Sequence, residues 1–329
     1  MIFSLAIVGP TASGKTSLSL ELAERLGGEI ISCDSMQIYR GMDVGTAKAT
    51  SEEKARVPHH LLDVIDPTEN YSVEAYRESA VSVAREIHSR GKLPIFVGGT
   101  GLYLDSLLRA AQDGAPASDP EYRERLIAQA GENYEDRLWE RLMSVDPESA
   151  LKIHKNNVKR VIRALEIYDK SGITKTELDR RSREYSPELY IGVIALDFHD
   201  RDLLYDRIDR RVDIMMADGL LDEVSSLYSA GKLLDTTTSA QAIGYKEILE
   251  YLRSEITLRE ATDKIKQASR RYAKRQLTWF RRNENSTRVY VDFEKGGVRP
   301  TADIIADGLR AYEKYYENYS GEINADKRN

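Results

Sequence analysis

A single cysteine, Cys33, stands in the whole chain, so no internal disulfide can close and no cysteine-ligated zinc cluster can form. No apolar run approaches the roughly 20 residues of a membrane-spanning helix. MIFSLAIV is apolar, but it has no basic start or cleavage site and runs straight into a glycine-rich loop, which makes it a buried strand rather than a signal peptide. The cytoplasm is the expected location, and a membrane is not an expected partner. No internal repeat is visible. A nucleotide-hydrolysing protein would also need a hydrophobic strand ending in Asp or Glu to hold metal and position water. LPIFVGGT ends in glycines and threonine instead, and no stretch resembles a guanine-reading motif.

What is present is a soluble composition, 41% hydrophobic and 31% charged over 329 residues, long enough for about two domains. The net charge of −6 argues by itself against nucleic acid, but its distribution does not. Residues 152–185 carry ten Lys/Arg against five Asp/Glu, and residues 264–288 carry nine against one, which leaves −19 on the rest. Two basic islands in an acidic chain suit a protein that draws a polyanion to chosen surfaces. Ordinary solvated helix faces are the alternative for either island taken alone.

The first third alternates strand and helix, the pattern of a parallel sheet. FSLAIV leads into the glycine loop, SLSLELAERLGG is an amphipathic helix, EIISC delivers DSMQ, residues 72–90 form a helix, and LPIFVGGTG is a further strand. Small residues and two prolines in AQDGAPASDP, 111–120, mark a boundary. An all-helical stretch follows, with Asp119-Pro120 and Asp146-Pro147 reading as N-caps and NNVKRVIRALEIYDKSG stopping at glycine. Strand pattern returns at ELYIGVIALDF. The expected fold is α/β: a parallel-sheet core with helices on both faces, formed by 1–112 and 191–329, and a helical insertion at 113–190. Leu204, Ile208, Val212 and Met215 share one face of a later helix, Thr257 and Glu260 form a capping box opening a long basic helix, RVYVDF is a late strand, and YSGEINADKRN reads as a frayed tail.

VGPTASGKT follows a strand and precedes a helix, the setting of a phosphate-binding loop whose amides cradle oxygens while lysine and a hydroxyl complete the site. Gly9, Pro10, Thr11, Ala12, Ser13, Gly14, Lys15 and Thr16 are its candidate residues, with Thr16 the candidate Mg²⁺ ligand; the Thr11 and Ser13 hydroxyls could equally stabilise the turn. Asp34 is the nearest carboxylate at a strand end, on a strand expected to neighbour the loop. Gly98 and Gly99 would allow a ligand close to Thr100. Arg207 and Arg211 lie one turn apart on a helix. His59 and His60 lack further ligands and suit packing or hydrogen bonding better than metal.

GPTASGKT, CDSMQIYRGMDVGTAK, PHHLLD, FVGGTGLY, RVIRALEIY, QAIGYKE and YAKRQLTWFR, in that order, resemble the tRNA dimethylallyltransferases, which prenylate the adenosine just 3′ of the anticodon. Met36 stands where alanine is common, and Ala49-Thr50 where proline often follows the lysine; with one cysteine, the C-terminal zinc finger of eukaryotic relatives cannot form. The resemblance implies that the loop holds the diphosphate of dimethylallyl diphosphate, with Thr11 lining it and Thr100 where prenyl tail and adenine meet; the leaving charge itself suits Mg²⁺ through Thr16 and one arginine of the pair, Arg207, near the diphosphate. Asp34 is then the base for the adenine N6 proton. The anticodon stem-loop of tRNA is expected at Asp34, Ser35, Met36 and Gln37, at Gln241, Gly244 and Lys246, and along two basic rows. Lys155, Lys159 and Arg163 recur every four residues on the inserted helix beside Arg160; Lys266, Arg270 and Lys274 do so on the late helix beside Arg275. Tyr272, Trp279 and Phe280 could stack on bases, although Trp279 suits core packing. The adenine must flip out to reach Asp34, and the Gln37 amide could read its edge. A monomer is expected.

Three rival readings stand beside this one, the first in the same reaction class and the others from different classes. An adenylate prenyltransferase would need neither the insertion nor the basic rows; a small-molecule kinase of the same fold is disfavoured by the strand ending in GGT; a non-catalytic RNA-binding module leaves the glycine loop unexplained.

Overall fold

A computed structural model describes residues 1–109, 116, 119–184 and 188–326. The chain forms two compact units, Met1–Leu108 with Leu189–Asn329, and Arg109–Glu188. Most of the AQDGAPASDP stretch and residues 327–329 lie outside the described residues.

The larger unit is built on strands β1 (Ile2–Val8), β2 (Gly28–Ser32), β3 (His59–His60), β4 (Leu93–Gly98), β5 (Leu189–Asp197) and β6 (Thr287–Tyr290). They pair in parallel in the order β3-β2-β4-β1-β5-β6. Its helices are α1 (Lys15–Leu26), α2 (Ser51–Arg56), α3 (Val73–Ser89) and α4 (Gly101–Leu108) before the smaller unit. After it come α10 (Arg201–Ala217), α11 (Leu220–Ser229), α12 (Tyr245–Leu252), α13 (Leu258–Phe280) and α14 (Thr301–Asp326). Alternate strand residues serve opposite faces, as the two-residue period of a strand requires. Phe3, Leu5 and Ile7 pack with Leu18, Leu22, Ile208 and Leu277, whereas Ala6 and Val8 pack with Tyr76, Ala84 and Leu104. Both faces are therefore covered, which is why the strands read as nearly continuous apolar runs. A third cluster joins Ile38, Tyr39 and Met42 to Val212, Val224, Tyr245 and Ile265, so α10 to α13 share a separate core with the segment after β2.

Two expectations are corrected here. The strand that delivers Asp34 does not neighbour the loop's strand, because β4 lies between β2 and β1. The C-terminal stretch is not a frayed tail through its described length: α14 runs to Asp326, and Tyr319 joins an aromatic group with Phe3, Tyr190 and Tyr316.

The smaller unit contains α5 (Pro120–Ala130), α6 (Tyr134–Val145), α7 (Pro147–Lys152), α8 (Val158–Ser171) and α9 (Lys175–Glu184) around Leu126, Leu138, Leu142, Val161 and Leu165. Asp119 and Asp146 cap α5 and α7 as the Asp-Pro pairs predict, and α8 stops at Gly172 in the left-handed conformation.

Candidate active site

The parallel register brings Val8 level with Gly98 and Ala195, so the segments leaving β1, β4 and β5 emerge at one edge, where α/β sheets hold ligands. The segment leaving β1 is the glycine loop. Gly14 ends it at φ 92° and caps α1, a conformation that side chains with a Cβ rarely adopt. Ala12 is also left-handed, at φ 61°. The loop thereby presents the N-terminus of α1, whose unpaired amides and dipole attract an anion.

Lys15 folds back across the loop and donates to the carbonyls of Pro10 at 2.7 Å and Gly9 at 3.1 Å. Burial, and then the neighbouring Arg211, push its ammonium down to about 7, against a smaller opposing pull from Asp34. Arg207 donates its Nε–H to the Ala12 carbonyl at 2.9 Å. Burial lowers the pKa of both Arg207 and Arg211, and Asp34 partly offsets this at Arg211. A guanidinium is nonetheless charged at any working pH. Three partly buried cations thus converge on one loop, which calls for a compact polyanion.

Asp34 lies beyond β2 and lines the same cleft of about 710 Å³ as residues 11–16, Arg207 and Arg211. Its Oδ1 accepts the Met36 N–H at 2.9 Å. Thr100 adjoins the cleft through Ser35: its hydroxyl accepts the Ser35 N–H at 3.0 Å, and its own N–H donates to the Cys33 carbonyl at 3.2 Å, so it holds the segment on both sides of Asp34. Gly98 lines the cleft, and both Gly98 and Gly99 also allow close approach of protein. A Cβ at Gly98 would lie 2.0 Å from the Cys33 carbonyl, and one at Gly99 would lie 2.2 Å from Gln276 Nε2.

Ser35, Met36, Gln37, Gln241, Gly244 and Arg275 all line the cleft, with Tyr272 and Gln276 of α13. The Gln37 amide is already engaged. It accepts from Ser32 Oγ at 2.8 Å and donates to the carbonyls of Thr46 at 3.2 Å and Ala47 at 3.3 Å. The 43–47 segment is held in turn by Glu223, which accepts the N–H groups of Asp43, Val44 and Gly45 at 2.8, 2.8 and 3.1 Å. Ser13 Oγ is buried and has no hydrogen-bond partner among the described residues, so no such bond from it stabilises the turn. His59 donates its Nδ1–H to the Val57 carbonyl and His60 its Nε2–H to the Glu29 carboxylate, each at 2.7 Å, in hydrogen-bonding rather than metal roles.

The basic rows are less available than their spacing implies. Lys155 precedes α8 instead of lying on it, and pairs with Asp136 at 2.8 Å. Arg163 is committed with Arg123 to the buried Glu166, each at 2.7 Å. On α13, Lys266 and Arg270 pair with Asp213 and Asp209, both at 2.5 Å. Lys159, Arg160, Lys246, Lys274 and Arg275 are exposed and make no ion pair among the described residues. Phe280 belongs to the core, and Trp279 packs over Gly101, so of the three aromatics only Tyr272 reaches the cleft. Arg211 and Gln276 are the site residues that the sequence undervalued: Arg211 was visible as the partner of Arg207, whereas Gln276 had no local signal.

Comparison with known proteins agrees with this arrangement. The IPP transferase family model matches residues 37–283, more than half of the chain, and an isopentenyl transferase model matches residues 3–63. A tRNA dimethylallyltransferase of Halalkalibacterium halodurans is 50% identical over 294 residues, covering 88% of this chain and 93% of that protein. The crystal structure of a full-length tRNA isopentenylpyrophosphate transferase from Bacillus halodurans superposes with a TM-score of 0.70 at 45% identity, covering 98% of this chain and 99% of that one. A eukaryotic dimethylallyltransferase acting on tRNA superposes with a TM-score of 0.76 at 29% identity, covering 88% and 74%. The chain therefore belongs to the IPP transferase family, the tRNA dimethylallyltransferases.

Proposed function

We propose that this protein transfers the dimethylallyl group of dimethylallyl diphosphate to N6 of the adenosine immediately 3′ of the anticodon in tRNA, releasing diphosphate, and that it does so as a cytoplasmic monomer. The observation that carries the reading is the single cleft that holds Lys15, Arg207 and Arg211 at the loop and Asp34 beside them. The cations and the N-terminal amides of α1 bind the diphosphate and stabilise the charge that grows on it as the C1–O bond breaks. The N6 lone pair forms the new bond to C1, and Asp34 takes the N6 proton. Tyr272 offers a ring to the flipped adenine. Lys159, Arg160, Lys246, Lys274 and Arg275 are the cations left to follow the RNA backbone.

Thr16 is exposed at the first turn of α1, and among the described residues no group of three acidic, histidine or cysteine side chains gathers around a metal position. That donor set suits Mg²⁺, which keeps waters and substrate oxygens and takes few protein ligands. Held through Thr16 and the diphosphate, the ion would neutralise leaving-group charge.

No helix among the described residues is long and apolar enough to cross a membrane. The test is incubation with Mg²⁺, labelled dimethylallyl diphosphate and either unmodified tRNA or AMP. Label in tRNA alone supports the proposal; label in AMP replaces it with an adenylate prenyltransferase, and ATP turnover in a parallel incubation with added ATP replaces it with a kinase.

A further inference from the structure

The ladder between β1 and β4 stops at Val8 and Gly98. Beyond it the glycine loop and the Gly99-Thr100 turn leave the sheet as separate segments, one carrying the leaving-group site and the other supporting Asp34. A side chain on α13 rejoins them. Gln276, 5% exposed, accepts the Thr11 N–H at its Oε1 and donates its Nε2–H to the Gly99 carbonyl, both at 2.9 Å. One turn earlier, Tyr272 donates its hydroxyl to the same carbonyl at 3.4 Å. The two backbone groups are of opposite kind, so only an amide in this one orientation satisfies both. From Gly99 the connection continues through Thr100 to Cys33 and Ser35 on either side of Asp34.

We propose that Gln276 is a positioning residue that keeps the diphosphate loop in register with the Asp34 segment. This rests on the transfer reaction proposed above. Transfer requires the acceptor nitrogen about 3–3.5 Å from C1, and a misplacement of about 1 Å can cost a hundredfold. A misaligned acceptor leaves C1 to water. The C1–O bond still breaks and diphosphate still leaves, but a water oxygen bonds to C1 and gives its proton to solvent, yielding dimethylallyl alcohol. The ratio of alcohol to prenylated adenosine therefore reports alignment, which overall stability does not.

Three variants test this. Gln276→Leu removes both hydrogen bonds, Gln276→Glu can still accept from Thr11 but repels the Gly99 carbonyl, and Gly99→Ala displaces the Gln276 amide without removing a polar group, since its Cβ would fall 2.2 Å from Nε2. Single-turnover reactions with labelled dimethylallyl diphosphate and an anticodon stem-loop are divided into label in RNA and label in alcohol. The expected result is an alcohol-to-transfer ratio at least about tenfold above wild type in each variant that folds, read with both substrates at saturating concentration. An unchanged ratio overturns the proposal, including the case where the rate falls together with the melting temperature. If the wild-type protein itself places no label in RNA, the transfer reading is what fails.

Discussion

Arg207 Nε lies 2.9 Å from the Ala12 carbonyl, so the helix α10, almost 200 residues along the chain from the loop, fixes the conformation of the loop's central residue. Ala12 holds a left-handed backbone at φ 61°, a state that costs about 1–3 kcal/mol and persists only where its surroundings hold it. Arg207 both imposes it and supplies charge to the anion.

Arg207→Lys keeps the charge and loses the planar fork. Loss of one charged hydrogen-bonding group costs about 1.5–3 kcal/mol, so the dissociation constant for dimethylallyl diphosphate should rise about 10- to 100-fold. Isothermal titration checks it; an unchanged constant removes Arg207 from the anion site.

Diphosphate binding should weaken as pH rises through about 7. Burial and Arg211 hold the free-protein Lys15 near that value, and a bound polyanion raises it by favouring the ammonium. Below 7 the lysine is already protonated and no proton is taken up. Above 7 binding must draw a proton from solvent, so affinity falls by up to about tenfold per pH unit. Lys15→Arg keeps its charge across the range and should flatten the profile measured between pH 6 and 9. A wild-type profile that is already flat contradicts the role given to burial.

Asp34→Asn retains an Oδ1 able to accept the Met36 N–H, so the turn should persist while the base is lost. The transfer rate should fall about 10²- to 10⁴-fold, with both substrate affinities changing much less. Should Asp34 act on Mg²⁺ instead, diphosphate affinity would fall and raised Mg²⁺ would restore activity. A single-turnover Mg²⁺ series decides between them, and full rescue by metal sinks the general-base assignment.

Binding of tRNA should be steeply salt-dependent although the sequence pI is about 5.6. Changing Lys159 and Arg160 to alanine should reduce the slope of log K against log salt by about one per cation, leaving diphosphate affinity unchanged. Arg163→Ala should behave differently, because it strips one partner from the buried Glu166. It should lower the unfolding midpoint and leave the salt slope in place. A slope that falls with Arg163 and not with Lys159 and Arg160 reverses the assignment.

By itself the sequence determined the features that depend on neighbours in the chain. The loop and its helix, the capping aspartates with their prolines, all strands but the two-residue β3 and the Thr257–Glu260 capping box follow from local spacing, since dihedral preferences and caps act over a few residues. The same locality let Lys15, Asp34 and Arg207 be proposed, each standing at a strand end or on a helical repeat. The tertiary structure alone decided what joins segments far apart. It placed β4 between the strands of Asp34 and the loop, and drew Arg270 onto Asp209 and Lys266 onto Asp213, which removed cations that spacing had assigned to RNA. It also set Gln276 between Thr11 and Gly99. A hydrogen bond or ion pair across more than fifty residues needs the two segments held within about 3 Å by packing against a shared core, and no periodicity in one segment carries information about the position of the other.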